Sequence, residues 1–204
     1  MSDPRPSDKL GGLYEETGLF CGPSATWNKP AYHIQLVRLD SAPEIAMLWG
    51  RMVSDLPQLE RHFGYEGYVP RPRAHDSYFA VWRDESLGEG KGCGDGAMIG
   101  LAYTQQPTPT TMAYGFGLFA EAKGQHTGCD VKAAILAHCF ARPKTHRVEC
   151  EVYGSNPWSL RVLHGRGDPM KQEGIQKAVM EIDGIFYDRV LFGITREEWE
   201  RICE

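Results

Sequence analysis

No stretch of this 204-residue chain is apolar for long enough to cross a membrane. Its first residues carry Pro, Gly and charge where a secretory leader would carry an apolar core. The expectation is a soluble, cytoplasmic protein. No C-x-x-C pair occurs: the six cysteines (Cys21, Cys93, Cys129, Cys139, Cys150 and Cys203) stand far apart, and the seven histidines are equally dispersed. That scatter suggests neither a disulfide framework nor a zinc site, and it leaves the thiols as buried, reduced side chains. Positive charge is short as well. A formal net charge of −5 argues against broad binding to a phosphate backbone and favours cationic or amine-bearing partners. Internal repeats and low-complexity tracts are also missing. With 42% hydrophobic residues, the chain has enough apolar surface for one full core.

What is present is organised around residues 117–141, GLFAEAKGQHTGCDVKAAILAHCFA. They read as a strand end, a tight polar loop and a helix whose first turn sits just after Gly128. The loop contains Gln125, His126, Thr127, Gly128, Cys129 and Asp130. It sets consecutive backbone N–H groups at a helix start, where unsatisfied donors and the positive end of the helix dipole suit a phosphate or pyrophosphate. Gly128 allows a ligand to approach the backbone closely. Val131, Ala134, Ile135, His138 and Cys139 recur at helical spacing and define a face packed on a sheet. The same residues also describe an ordinary strand–loop–helix connection.

Taken in order, residues 1–30 are rich in Gly, Pro and Ser and read as a partly flexible arm, with residues 31–204 as a single domain. A strand is expected over residues 33–40. Ser41 and Glu44 then stand at capping-box spacing before a helix that Pro57 ends or kinks. The basic, aromatic stretch 65–76 reads as a solvated loop. Strands are expected at 77–83 and 97–104, and the glycine-rich run 88–96 between them reads as a hairpin connection, because a strand and not a helix follows it. A second loop (105–111), a strand (112–120), the central helix and a strand (147–153) come next. Asn156 is a natural N-cap with Pro157 at the first helical position, for a helix running to about residue 166. Two strands, 171–182 and 185–193, meet at Asp183-Gly184, a strong hairpin signal. Thr195 and Glu198 start a short last helix.

Three blocks in this order carry a family resemblance. Gln125 to Asp130 stands where a donor loop of the form Arg/Gln-x-x-Gly-x-Gly/Ala is expected, after FGLF and before a helix. His146 to Tyr153, with Asn156 and Ser159, matches the family's next strand and helix. Gly184, Tyr187, Asp188, Phe192, Gly193, Ile194, Glu198 and Trp199 match its tail. From about residue 33 to residue 199 the chain therefore resembles the GNAT superfamily of acyl-CoA N-acyltransferases, nearest to the branch of ribosomal-protein alanine N-acetyltransferases.

The resemblance implies an α+β fold. Its central sheet would be mixed and mostly antiparallel, splayed at a βαβ crossover, with helices on both faces. It implies acetyl-CoA or another acyl-CoA as donor, no metal, and a primary amine of a small molecule or a protein N-terminus as acceptor, in a monomer or homodimer. Backbone groups of Phe119 and Ala120 would meet the pantetheine, residues Gln125 to Asp130 the pyrophosphate, and Asn156 and Ser159 the pantetheine arm. The chemistry would be direct attack of a neutral amine on the thioester, with backbone donors polarising the carbonyl. Glu149 and Glu151, which share a sheet face, are the expected bases, directly or through water, unless they are salt-bridged strand carboxylates; Tyr114 is a weaker candidate. His126 reads as a loop spacer, and Trp158 and Trp199 as packing side chains. The chain departs from the pattern at Asp130, where a small residue is usual, and at Leu163, where many relatives carry a tyrosine as the thiolate's acid. Gly165-Arg-Gly-Asp168 also replaces the family's Leu-Gly-Phe. These departures leave open a second reading, a GNAT fold that binds a ligand or partner without transfer.

Overall fold

The computed structural model describes residues 33–55, 76–84, 96–122, 127–165 and 168–204. The N-terminal arm, the end of the first helix at Pro57, most of the basic loop, the glycine-rich run, Gln125 and His126 lie outside the described residues. The strands are β1 (His33–Leu39), β2 (Ser77–Asp84), β3 (Ala97–Thr108), β4 (Thr111–Leu118), β5 (Arg147–Tyr153), β6 (Lys171–Ile182) and β7 (Ile185–Thr195). The helices are α1 (Ala42–Asp55), α2 (Thr127–Phe140), α3 (Pro157–Leu163) and α4 (Arg196–Cys203).

The strands form one sheet in the order β1-β2-β3-β4-β5-β7-β6, in which only the β4–β5 pair is parallel. A parallel pair needs a crossover, and α2 supplies it. This is the mixed, mostly antiparallel α+β sheet expected from the sequence. β2 is buried on both faces: Phe79 and Val81 join the core under α2, while Tyr78 and Ala80 join the one under α1. The first core also takes in Leu163 of α3 and Trp199 of α4, so α2, α3 and α4 share one face and α1 covers the other. Fully burying a side chain such as Phe79, Ile135 or Phe192 contributes about 1.5–3 kcal/mol each.

Three boundaries differ from expectation. β3 continues through Pro107 to Thr108, leaving a tight turn where a loop was expected. Its last residues are exposed and its pairing with β4 slips between Gln105 and Thr108, so proline costs no interior hydrogen bond there. β4 ends at Leu118, and Ala120–Ala122 form a 3-10 turn. α3 stops at Leu163.

The caps appear as read. Ser41 Oγ accepts from the Glu44 amide at 3.2 Å, and Thr195 and Glu198 form a complete capping box. At the β6–β7 hairpin, Asp183 and Gly184 have φ of 51° and 79°, the paired left-handed conformations of a type I′ turn. Asp188 holds a bulge in β6: it accepts from the Ala178 amide at 3.0 Å and pairs with Lys177 at 2.8 Å, where Ala178 has φ of 51°. Arg196 ties α4 to the end of α2 by donating to the carbonyls of Phe140, Arg142 and Thr145, a cation placed at a helix C-terminus.

Candidate functional site

The parallel pairing of β4 and β5 is short. It covers Thr111 with Arg147, Met112 with Val148 and Ala113 with Glu149. Beyond it β4 stays with β3 and β5 stays with β7, so the strands part between Tyr114–Leu118 and Cys150–Tyr153. Backbone groups lining that gap have no strand partner from the other side among the described residues, which suits an extended ligand with amide groups of its own. Tight packing fixes the β3–β4 side of the gap. A Cβ on Gly100 would overlap the Gly117 carbonyl oxygen, and one on Gly117 would overlap the Met52 thioether of α1.

Both backbone groups of Phe119 make hydrogen bonds within the fold. Its N–H donates to the Ile99 carbonyl at 2.8 Å, and its carbonyl accepts from Ala122 at 3.1 Å. Its ring is buried with the Arg51 guanidinium 3.9 Å above it, and Arg51 reaches on to Glu121 at 2.5 Å. The strand leaves the sheet here because the chain turns into the 3-10 turn that begins at Ala120.

α2 begins at Thr127, so Thr127, Gly128, Cys129 and Asp130 form its first turn, where amides lack intrahelical acceptors. Thr127 and Asp130 are buried; Gly128 and Cys129 are half-buried. Burial turns the Asp130 carboxylate into the helix packing rather than leaving it exposed at the tip. At Gly128 a Cβ would stand 3.3 Å from a Val162 methyl, so α3 packs closely against this turn.

Asn156 caps α3: its Oδ1 accepts from the Ser159 amide at 3.1 Å, which also commits Ser159's own N–H. Glu149 and Glu151 project from the sheet face opposite α2, and each meets an arginine. Arg147 Nε donates to Glu149 at 3.2 Å while its other nitrogens clamp Glu173. Arg189 donates to both Glu151 oxygens, at 3.0 and 3.2 Å. Hydrogen bonding from Arg147 holds the Glu173 carboxyl below its ordinary value.

Tyr114 lies on the other face, 6% exposed, with its hydroxyl donating to Met170 Sδ at 3.0 Å. Burial, then the neighbouring Cys150, pushes its hydroxyl well above its ordinary value, which removes it as a base. Burial likewise raises the Cys150 thiol to about 11.

Sequence reasoning missed a buried ion pair beside these groups. Lys132 of α2 is 1% exposed and contacts the Asp168 carboxylate, whose other oxygen accepts from the Met170 amide at 2.9 Å. Lys132 also donates to the Val162 carbonyl at 3.4 Å. Burial pulls its ammonium down to about 8. The pair thus joins α2, the end of α3 and the segment leading to β6, where Gly165-Arg-Gly-Asp168 departs from the family pattern. The available signal was a lysine inside the apolar run VKAAIL. Trp199 stacks on Phe140 at 5.5 Å, as a packing side chain should. Trp158 is 67% exposed, so packing does not account for it.

The described helices include none long and apolar enough to cross a membrane. Residues 29–167 match the family model for the acetyltransferase (GNAT) domain. The SPbeta prophage-derived uncharacterized N-acetyltransferase YokL of Bacillus subtilis is 30% identical over 90 residues, which are 44% of this chain and 50% of that protein. The chain thus spans about half the length of this curated relative. Among solved structures, spermidine N-acetyltransferase from Vibrio cholerae, in complex with CoA and spermine, superposes with a TM-score of 0.63 at 14% identity, covering 82% of this chain and 98% of that one. RimL, the ribosomal L7/L12 alpha-N-protein acetyltransferase, gives a TM-score of 0.62 at 14% identity, covering 95% and 98%. A family model matching most of the chain, a parted β4–β5 pair and a helix start beside the gap converge: the chain belongs to the GNAT acetyltransferase family.

Proposed function

We propose that this protein transfers an acyl group, acetyl in the first instance, from CoA to a primary amine. The observation that carries the reading is the gap between β4 and β5 with the start of α2 beside it. The pantetheine would lie along the free strand edges and its pyrophosphate against the first turn of α2, where amides and dipole favour an anion. Three carboxylates, Glu149, Glu151 and Glu173, share the open sheet face with two arginines, Arg147 and Arg189, a small acidic excess that favours a protonated amine as acceptor. That fits the overall charge of −5. It also accords with relatives named for spermidine and for a ribosomal-protein N-terminus.

Attack needs a neutral amine. Glu149 or Glu151 takes the ammonium proton through water. The nitrogen then adds to the thioester carbonyl, backbone N–H groups at the gap stabilise the oxyanion, and the C–S bond breaks. Leu163 is buried and brings no acid to the sulfur, so the proton that the attacking nitrogen sheds as the amide forms passes through water to the departing thiolate.

Calorimetric titration with acetyl-CoA, followed by an amine screen, tests the reading. Micromolar binding by the wild type, together with CoA release in the presence of polyamines or N-terminal peptides, is the expected result. Glu149→Gln and Glu151→Gln should each lower kcat/KM by about tenfold or more while leaving donor affinity alone. If acetyl-CoA binds only after Asp130→Gly, the loop serves another ligand, and the reading of a GNAT fold without transfer replaces this one.

A further inference from the structure

β4 divides its side chains unevenly between the two faces of the sheet. Met112, Tyr114, Phe116 and Leu118 belong to the core under α2, and Ala113, Gly115 and Gly117 alternate with them on the opposite face. On the face that carries Glu149 and Glu151, β4 therefore has no side chain larger than a methyl there. Two of the three positions are roofed by neighbours. α1 lays the Met52 thioether on Gly117, and β3 lays Tyr103 on Gly115, where a Cβ would stand 2.5 Å from the phenol oxygen. Tyr103 pairs with Gly115 in the β3–β4 register, packs against the core under α1, and has the ring of buried Tyr78 6.0 Å away. The phenol is thus braced on the α1 side and reaches across β4 toward β5. Gly115 lies where β4 and β5 have parted, two residues beyond their last paired rung, Ala113 with Glu149. Phenol and carboxylate therefore border the mouth of the gap from opposite sides, with Ala113 as the floor. Strands lie about 4.8 Å apart, and the phenol occupies the width of β4 at Gly115, so the passage left beside the β5 carboxylates admits one aliphatic chain. An ammonium on a methylene carbon fits it, held between an aromatic ring and a carboxylate. A carbon branched next to the nitrogen would press its substituent against the phenol.

We propose that Tyr103, laid over Gly115, sets the acceptor class of this protein: primary amines on an unbranched methylene carbon, with amines on a branched carbon, such as an alanine N-terminus, disfavoured. This rests on the transfer reading above and narrows it from primary amines at large to one class. Tyr103 acts through the shape of its ring as a specificity-determining residue, and bond making stays with the groups already named.

The test compares matched acceptors, n-butylamine with sec-butylamine and glycinamide with alaninamide, on wild type, Tyr103→Ala and Tyr103→Phe. CoA release gives kcat/KM for each amine, and calorimetry gives acetyl-CoA affinity for each protein. The wild type should favour the unbranched member of each pair by about tenfold or more, as one misplaced methyl in a close-fitting pocket does. Tyr103→Ala should shrink that preference by about fivefold or more at unchanged acetyl-CoA affinity, while Tyr103→Phe, which keeps the ring, retains it. The intrinsic reactivity of each amine is the same for all three proteins, so the change in the ratio reads the pocket alone. A wild type that takes alaninamide as readily as glycinamide overturns the assignment, whether or not Tyr103→Ala folds. A ratio unchanged in Tyr103→Ala also overturns it and leaves the transfer reading standing. So does a loss of preference matched by an equal loss in Tyr103→Phe, since the ring would then not be the wall. If the wild type transfers to no amine, both readings fall together.

Discussion

Gly100 of β3 and Gly117 of β4 lie one register step apart on adjacent strands, and each excludes a side chain for a different reason. At Gly100 the obstacle is the Gly117 carbonyl oxygen, part of a backbone pinned by sheet pairing. At Gly117 it is the Met52 thioether, the flexible end of a side chain that has other rotamers. Gly100→Ala should therefore destabilise the protein by about 1–3 kcal/mol or more, as overpacking does, and Gly117→Ala by less. Urea denaturation of the two variants checks this, and a larger cost at Gly117 would contradict it. Gly100→Ala should also weaken donor binding, because relief of the overlap must shift the strand edge that borders the gap.

Between elements, the deciding contact is the buried pair of Lys132 and Asp168. Deleting one partner leaves an uncompensated charge, so Asp168→Ala should cost about 3–5 kcal/mol. Replacing both by apolar residues, as in Lys132→Met with Asp168→Leu, should recover most of that loss. A chemical denaturation series on single and double variants decides it, and an additive double variant would mean the pair is not coupled. The pair also marks where the sequence stopped being legible. Caps and turns could be read because their partners lie within four residues: Asn156 with Ser159, Thr195 with Glu198, Asp183 beside Gly184. The order of strands and the crossover helix followed from periodicity and from the family blocks. Lys132 and Asp168 are far apart in the chain, as are Arg189 and Glu151, and local pattern carries no trace of such pairing. The same holds for Trp158, since a seven-residue helix has too few turns to reveal which side faces water. The end of β3 was missed because Pro107 reads as a breaker, although an exposed strand end tolerates it.

Over the whole molecule, acid should weaken the fold in two separable windows. His138 packs edge-on against Phe79 at 4.8 Å, and burial, then Arg142 and Arg38, lowers its imidazole from 6.5 to about 4. Between those values the unfolded chain binds a proton that the folded chain does not. Stability is therefore lost as pH falls through this range and regained as it rises. With partial solvent screening the loss amounts to about 2 kcal/mol. Glu198 acts lower down. Hydrogen bonding from Lys171, then from the Thr195 backbone, holds its carboxyl at about 2 against an ordinary 4.5, so the stability it contributes is present above 4.5 and lost as pH falls toward 2. Urea titrations stepped from about pH 7 to about pH 3 should show the first decline before the second. His138→Leu removes the imidazole and keeps an apolar side chain, so it should flatten the curve above about pH 4.5 and leave the lower decline intact. A wild-type slope retained in His138→Leu would place the upper window on another group, and the buried imidazole would then not be the fold's first point of acid failure.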